Sequence, residues 1–402
     1  MSPRILTFTT VYPRLNEPNL GPFVHSRIKA AANLAEIQVV APVSYIEYGN
    51  PNRHFPGLRA IPAERLEDNL TIHHPRWMYP PLITFVNPLL LYHCCLPYII
   101  RLRDTFHFQL IDAHFGFPDG VAAYHLARKL QIPYTVTLRG NETMHGRSRL
   151  RLQQIQRALR GASRVIVVSS PLRAYAAQLG VDDNRIELIP NGVDAELFHQ
   201  GNREHIQNDL GVDSSKFNLL SAGYLIERKG HHLLAKATSI LRSRGVDAHL
   251  WIAGGPGREG DFSAAIRRAV ADLGLQDFVH FLGALPPSRL AEWMQACDVF
   301  CLASNREGWP NVVNEALACG TPVVSVRVGG IPELIPSDTY GFISESADPA
   351  AIAELLLIAR SRAWDRNSIS EWGTSRSWDN VASQVLKVWQ LCLLEQGDGL
   401  LP

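Results

Sequence analysis

Short apolar runs alternate with segments of helical periodicity along almost the whole chain. The runs are rich in β-branched and aromatic residues, which is typical of buried strands. The segments between them place apolar residues three and four positions apart, which is typical of helices. In the first half, strands are predicted at 4–10, 36–42, 108–115, 133–140, 163–170 and 185–192. This alternation predicts an α/β fold with parallel sheets.

A polar segment, 195–216, lacks a strong hydrophobic period and divides the chain. The alternation then starts again, with strands predicted at 217–223, 248–254, 278–283, 298–304, 321–327 and 340–346. The chain is too long for one ordinary core. We therefore expect two doubly wound, Rossmann-like domains that face each other across a cleft, 1–200 and 201–375. The amphipathic closing segment, 376–402, can cover either domain, and we assign it to the first.

Composition narrows the class of protein. The 402 residues carry a net charge of +1 and are 46% hydrophobic, so neither disorder nor nucleic-acid binding is expected. The charge is uneven, because residues 1–200 carry +6 and the remainder −5. The six cysteines lie in apolar contexts without CxxC spacing, which favours buried thiols in a reducing compartment. The opening MSPRILTFTT shows no signal-peptide pattern, so a cytoplasmic protein is expected.

Two segments raise the question of membrane contact. The apolar stretch 82–100 approaches the length of a membrane span, but prolines, an asparagine and a histidine interrupt it. A buried helix pair is the simpler interpretation, and an interfacial patch is the alternative. The predicted helix 148–160 and the residue before it carry Arg147, Arg149, Arg151, Arg157 and Arg160 without an acid. These arginines form either a solvated face or a surface that docks on anionic lipid.

The stretch EGWPNVVNEALACGTPVV, 307–324, carries two carboxylates eight positions apart. Glu307 follows a predicted strand, and Pro310 is predicted as the first residue of a helix that contains Glu315. The N–H groups of Trp309, Asn311 and Val312 mark the helix start, which suits a phosphate. Glu315 then suits a diol such as ribose and Glu307 further hydroxyls, a pattern that indicates a nucleotide sugar. The alternative is an ordinary helix carboxylate and a solvated loop residue.

The longer stretch SNREGWPNVVNEALACGTPVVSVRVGGIPELI resembles the donor-binding signature of the retaining GT-B glycosyltransferases of family 4. The resemblance implies that Glu307 contacts the transferred sugar and that Glu315 contacts the nucleoside ribose. It also implies donor contacts from the residues between them, which are Gly308, Trp309, Pro310, Asn311 and Val312. The paired glycines of GGIPELI, 329–335, are expected to let the backbone approach the ligand closely.

A second match, GYLIERKG, ends the first predicted strand of the second domain. The family usually shows an arginine and a lysine here that neutralise the diphosphate. Lys229 fits this pattern, whereas Tyr224 stands at the usual arginine position. The adjoining Arg228 is our substitute for that arginine, and a solvated loop cation is the alternative for both basic residues.

In the first domain, DAHFGFPDG resembles the family segment whose histidine lies near the transferred sugar, which makes His114 a candidate for orienting the donor. TLRGNET resembles a second loop of the family, in which Arg139 and Asn141 either line the acceptor entrance or fix the loop. The resemblance also implies that Gly21 lies in a loop touching the donor phosphate. Asp119 is predicted to cap the helix that starts at Gly120.

The resemblance implies a retaining, metal-independent hexosyltransferase with catalytic residues His114, Glu307 and Lys229 and no cofactor. The donor would be a UDP-, GDP- or ADP-sugar, and the acceptor a saccharide or lipid-linked saccharide of cell-envelope or exopolysaccharide synthesis. Peripheral contact with the inner face of the cell membrane would follow. The alternatives are a nucleotide-sugar epimerase of similar fold and a noncatalytic nucleotide- or saccharide-binding protein. The glycine pattern at 255–260 formally matches a dinucleotide fingerprint, and we interpret it as a tight turn.

Overall fold

The computed structural model describes residues 2–15, 17–45, 61–257 and 260–397. The chain forms two compact units, one of Met1–Gly192 with Trp378–Pro402 and the other of Val193–Ser377. We call them unit 1 and unit 2. The predicted bounds, 200/201 and 375/376, differ from these limits by eight and two residues. The last five residues of the predicted closing segment, 398–402, lie outside the described residues.

Unit 1 is built on a mostly parallel sheet of eight strands. The strands of the unit are β1 (Arg4–Phe8), β2 (Glu36–Val40), β3 (Val43–Ser44), β4 (Glu64–Glu67), β5 (Leu70–His73), β6 (Arg76–Trp77), β7 (Leu110–His114), β8 (Tyr134–Leu138), β9 (Arg164–Val167) and β10 (Ile186–Leu188). The order is β10-β9-β8-β7-β1-β2-β5-β4, with β4 antiparallel to β5, and β3 and β6 form a separate pair. All six strands predicted from the hydrophobic runs are present. The short strands β3 to β6 were not predicted.

Helices cover the sheet of unit 1. They are α1 (Pro22–Ala32), α2 (Asn87–Phe106), α3 (Val121–Leu130), α4 (Glu142–His145), α5 (Arg149–Gly161) and α6 (Ser170–Gln178). The predicted buried helix pair at 82–100 is wrong. A short turn, Thr84–Val86, leads into the single helix α2, and several of its apolar side chains are exposed. Pro97 lies inside α2 without ending it.

Unit 2 has one parallel sheet of six strands. The strands are β11 (Phe217–Ala222), β12 (Ala248–Ala253), β13 (Val279–Gly283), β14 (Val299–Leu302), β15 (Val323–Val326) and β16 (Gly341–Ser344). Their order, β13-β12-β11-β14-β15-β16, is that of a doubly wound nucleotide-binding fold. Each of the six was predicted from an apolar run. Strand β11 is buried at every position, as expected for a central strand with both faces covered.

The helices of unit 2 are α7 (Arg203–Leu210), α8 (His231–Ser243), α9 (Ser263–Asp272), α10 (Pro287–Ala296), α11 (Asn311–Ala318), α12 (Ile331–Leu334), α13 (Pro349–Ser361) and α14 (Arg366–Thr374). Helix α7 lies within the segment predicted as a linker and packs against α10. The sequence did not predict this helix, because its composition is polar and only one of its side chains, Gln207, is buried.

The last helix, α15 (Trp378–Gly397), belongs to unit 1 and packs against α1. The indole of Trp389 is fully buried in the core formed with Ile28 and Val39. Arg164 on β9 also forms an ion pair with Glu395 of α15. The end of the chain therefore completes the core of unit 1.

Candidate active site

The motifs of unit 2 meet at the point where the strand order of its sheet reverses. Strands β11 and β14 are neighbours there, although β12 and β13 lie between them in the chain. The segment GYLIERKG follows β11, and SNREGWP follows β14. In open α/β sheets, ligands bind at the carboxyl ends of the strands at this switch point. The topology therefore brings together two motifs that are 78 residues apart in sequence.

The two loops are joined by backbone contacts. The Asn305 N–H donates to the Arg228 carbonyl at 3.0 Å, and the Arg228 guanidinium donates to the Arg306 carbonyl at 2.9 Å. Gly230 has a positive φ of 71°, and a Cβ there would overlap the Ala303 carbonyl. Glycine is therefore required both for the backbone angle and for the close approach of the loops.

These contacts place two cations beside one carboxylate. The Lys229 Nζ lies 2.6 Å from Glu307 Oε1, and the Arg228 guanidinium lies 3.6 Å from the same oxygen. The side chains of Lys229 and Glu307 are only 13% and 10% exposed, so the pair is partly shielded from solvent. A lysine and an arginine side by side form a basic cluster, and cations of this kind bind polyphosphates.

Glu315 projects from the second turn of α11. The helix begins at Asn311, and Pro310 is its extended N-cap residue rather than its first helical residue as predicted. The Glu315 carboxylate is partly buried and has no hydrogen bond or ion pair to the part of the chain that the structure describes. Burial raises its pKa to about 7, because no cation compensates the loss of water. A carboxylate in this state is well suited to accept hydrogen bonds from ligand hydroxyls.

The glycine pair of GGIPELI holds the loop between the two glutamates. The Gly330 N–H donates to the Gly308 carbonyl at 3.0 Å. A Cβ at Gly329 would overlap the Glu307 carbonyl, and one at Gly330 would overlap the Trp309 indole. In this structure both glycines approach the 307–309 backbone and indole, and their close approach to a ligand stays a prediction.

Trp309 anchors this loop in the unit. Its indole is buried, and the Arg376 guanidinium lies 5.9 Å from the ring centroid. Arg376 also stacks at 4.1 Å on the Trp372 ring of α14. The tryptophan of the motif thus has a packing role, in addition to any contact with a ligand.

The glycine-rich segment that follows β12 is a turn. Gly257 and Gly260 exchange backbone hydrogen bonds of 3.1 and 3.2 Å. The residues between them, 258 and 259, lie outside the described residues. This pairing confirms the interpretation of the pattern as a tight turn.

In unit 1 the strand order reverses between β1 and β7, and His114 is the last residue of β7. The Arg139 guanidinium approaches His114 Nδ1 at 2.9 Å, so Nδ1 accepts and the proton lies on Nε2. Nε2 lies 3.0 Å from Asp112 Oδ2, in poor alignment for a hydrogen bond. Burial lowers the pKa of the fully enclosed imidazole to about 4. His114 exposes no ring atom here, so its contact with a sugar stays a prediction.

Arg139 and Asn141, predicted together, lie in different surroundings. Arg139 is 8% exposed and donates to Asn191 Oδ1 at 2.8 Å as well as to His114. Asn141 is exposed at the start of α4. In this structure the Arg139 guanidinium joins His114 of β7 to the segment after β10, and its contact with an acceptor stays a prediction. Asn141 remains accessible to an acceptor.

Two further predictions for unit 1 concern Gly21 and Asp119. Gly21 has a φ of 67° and is the N-cap residue of α1, where a Cβ would lie 2.8 Å from Val11. Asp119 makes no capping hydrogen bond, so that prediction is wrong. Its buried carboxyl instead accepts from the Thr10 hydroxyl at 3.1 Å, and burial raises its pKa to about 8.

Sequence reasoning missed the buried residues that hold these loops. Glu142 is fully buried and accepts from the Gly116 N–H at 2.8 Å and the Gly140 N–H at 2.7 Å. Arg27 of α1 is also fully buried and donates to Thr137 and to the Ile189 carbonyl. The available signal was the alternation of polar residues within β7 and β8. Alternate side chains of a strand share one face, so this pattern indicates a polar face that needs buried polar partners.

The described residues contain no group of three or more His, Cys, Asp or Glu side chains that could hold a metal ion. The candidate site of unit 2 brings together two cations, two carboxylates and the start of α11.

Two protein families match the chain. Residues 51–197 match the family described as Glycosyltransferase Family 4, and residues 202–374 match Glycosyl transferases group 1. The second match contains Lys229, Glu307 and Glu315.

Curated relatives and a solved structure agree with this assignment. A D-inositol 3-phosphate glycosyltransferase of Pseudarthrobacter chlorophenolicus is 33% identical over 271 residues, which are 64% of this chain and 63% of the relative. The putative teichuronic acid biosynthesis glycosyltransferase TuaC of Bacillus subtilis is 26% identical over 373 residues, 90% of each chain. The crystal structure of Anabaena HepE in complex with UDP and glucose has a TM-score of 0.72 at 19% identity, over 97% of this chain and 100% of HepE. The likeness to HepE shows the fold alone.

Proposed function

Because the chain belongs to the family 4 glycosyltransferases of GT-B fold, we propose that it transfers a hexose from a nucleotide sugar to a saccharide with retention of anomeric configuration. The observation that carries this proposal is the juxtaposition of Lys229, Glu307 and the unpartnered Glu315 at the switch point of unit 2. The fold alone would not specify a reaction, since one fold hosts many activities.

The donor is assigned to the site by its chemistry. The ribose diol donates to Glu315, and the diphosphate lies against Lys229, Arg228 and the N–H groups at the start of α11. Glu307 then accepts from hydroxyls of the sugar. Lys229 is paired with Glu307 in this structure, so donor binding moves its ammonium toward the diphosphate. The complex of HepE with UDP and glucose supports a nucleotide-sugar donor, with UDP the first to test.

The transfer proceeds on one face of the sugar. The bond between the anomeric carbon and the diphosphate oxygen breaks, and the acceptor oxygen forms the new bond to the same carbon. The acceptor proton passes to the leaving diphosphate. Lys229 and Arg228 stabilise the charge that develops on the diphosphate, which makes a divalent metal unnecessary in this proposal. Activity is therefore expected to persist in EDTA.

The acceptor is a saccharide or lipid-linked saccharide used in cell-envelope or exopolysaccharide synthesis. The likeness to the teichuronic acid relative over most of both chains supports this choice. The exposed Asn141 of unit 1 is the acceptor-side residue available for contact. Because the proposed donor is a nucleotide sugar and the proposed acceptor is lipid-linked, we expect a cytoplasmic protein that contacts the inner face of the membrane.

The test is a thermal-shift panel of UDP-, GDP- and ADP-sugars without metal. One nucleotide is expected to raise the unfolding temperature of the wild type and not of Glu315→Ala. Glu371→Ala, which removes an exposed carboxylate of α14, is the matched control and should keep the shift. No shift with any nucleotide sugar in wild type would contradict the proposal.

Product analysis with the active nucleotide sugar then separates the alternatives. Transfer gives a new glycoside whose anomeric proton coupling in NMR shows the donor configuration. An epimerised nucleotide sugar would indicate an epimerase. Binding without any product, across a panel of saccharide acceptors, would indicate a noncatalytic protein.

A further inference from the structure

The surface of unit 1 carries an apolar strip that the core does not cover. It follows the chain from the end of β6 into the first turn of α2, and each member is at least 40% exposed: Met78, Leu82, Ile83, Phe85 and Leu89. Leu82 is 95% exposed, which is unusual for a leucine next to a helix start. We call these five side chains the apolar strip. Contiguous exposed apolar side chains indicate an interaction surface.

Helix α2 continues from the apolar strip and is part of the unit. The stretch Thr84–Phe106 is long and apolar enough, by length and composition alone, to cross a membrane, and 28% of its most apolar window is buried. The side chains of Leu91, Cys95 and Ile99 are fully buried, so one stripe of the helix packs into unit 1. This packing favours a helix that lies along a surface over one that crosses a bilayer.

Basic side chains lie beside the apolar strip. Helix α3 packs against both α2 and α5, and the Gln154 amide of α5 donates to the Phe85 carbonyl at 3.0 Å. Arg157 follows Gln154 by one turn, and Leu150 precedes it by one turn, so both share its side of α5. Leu150 is 54% exposed, and Arg157 is exposed as well. Helix α5 thus extends the apolar strip and adds positive charge to it.

The three helices are strongly biased in charge. Every residue of α2, α3 and α5 is described, and their exposed basic side chains are Arg101, Arg128, Lys129, Arg149, Arg157 and Arg160. Their one exposed acid is Asp104. The sequence between Leu70 and Arg103 contains no acid, and that between Gly120 and Val181 contains only Glu142, which is buried.

We propose that this surface docks unit 1 on an anionic phospholipid bilayer, with the apolar strip at the level of the acyl chains and the arginines of α5 among the headgroups. The combination of exposed leucine, isoleucine and phenylalanine with unopposed arginine is what such an interface requires. A second copy of the chain fits less well, because two such surfaces would bring like charges together. The inference rests on the proposed function only for the purpose of the docking, which is to bring the enzyme to a lipid-linked acceptor.

Vesicle flotation with the whole protein tests the proposal without any transfer reaction. Vesicles of phosphatidylcholine with one third phosphatidylglycerol should bind the wild type at least tenfold more strongly than phosphatidylcholine alone, and salt should weaken that binding. Leu82→Ser with Ile83→Ser should reduce binding at least tenfold. Arg149→Gln with Arg157→Gln should reduce it roughly 25-fold, at about fivefold for each charge near the surface.

Matched controls change comparable side chains elsewhere. Leu391→Ser with Leu394→Ser removes two exposed leucines of α15, and Arg268→Gln removes an exposed arginine of α9; both should bind like the wild type. Unchanged unfolding temperatures and unchanged nucleotide-sugar thermal shifts show that the variants fold and keep the donor site. Equal binding to neutral vesicles, or no binding, would overturn the proposal. So would concentration-dependent self-association in sedimentation velocity that the Leu82 and Ile83 substitutions abolish.

Discussion

Glu315→Gln should stabilise the empty protein in alkaline solution while weakening its affinity for the donor. Burial raises the pKa of Glu315 to about 7 from an ordinary value of 4.5. The folded chain therefore holds this proton more tightly than the unfolded chain, and the resulting stability is lost as the pH rises through 7. Full conversion of the pKa difference gives about 3 kcal/mol, and partial exposure reduces the expected value to roughly 2 kcal/mol. Glutamine keeps the shape and never ionises.

The assay is thermal unfolding without nucleotide, at pH 5 and pH 8. The glutamine variant should unfold close to the wild type at pH 5 and roughly 4–8 °C above it at pH 8, for a unit of this size. Addition of the nucleotide sugar at pH 8 should then raise the unfolding temperature of the wild type alone. Glu371→Gln, on an exposed face of α14, serves as the control. A variant that is less stable than wild type at pH 8, or equally shifted at both pH values, would refute the reasoning.

Two further predictions concern the loops around Glu307. Lys229→Met should lower kcat/KM for the donor by roughly 100-fold or more, because it removes a cation that stabilises charge on the diphosphate. Arg228→Met should lower kcat/KM by about tenfold, because the Arg228 cation lies farther from the Glu307 carboxylate. Steady-state kinetics that give the reverse order would contradict the assignment. Gly330→Ala should weaken donor binding about tenfold in calorimetry, because its Cβ overlaps the Trp309 indole and must displace the loop. Gly255→Ala, whose Cβ would make only an ordinary contact at 3.7 Å, should bind the donor normally.

The sheets were the most predictable part of the molecule. A central parallel strand is buried on both faces, so its sequence is a continuous apolar run that is visible without any structure. Strand β11, buried at all six positions, is the clearest example. The pair formed by β3 and β6 was not predicted, because strands of two residues are too short to show a hydrophobic period. Helix α7 was missed because a helix that buries one polar side chain shows little amphipathic pattern.

The donor motif was placed correctly at a strand end, but its partner was not identified. The sequence presents Glu307 as one of two glutamates in a single motif, and a local pattern gives no reason to pair it with Lys229. That ion pair depends on β11 and β14 being neighbours, which is a property of the strand order. The same dependence explains His114. Its strand-end position was predicted, whereas the arginine that donates to Nδ1 directly follows the adjacent strand β8.

The two glutamates of the motif differ in what they contact before any donor binds. Glu307 already has cations beside it, so its charge is compensated in the empty site, and ligand binding must exchange one ion pair for another. Glu315 has no such partner, and its negative charge raises the free energy of the empty site at neutral pH. Hydroxyl groups of a ligand lower that free energy when they donate to Glu315. Hydroxyl groups that donate to Glu307 lower it less, because the Glu307 charge is already compensated. Donor affinity should therefore depend more on Glu315, and orientation of the transferred sugar more on Glu307, although both are glutamates of the same motif.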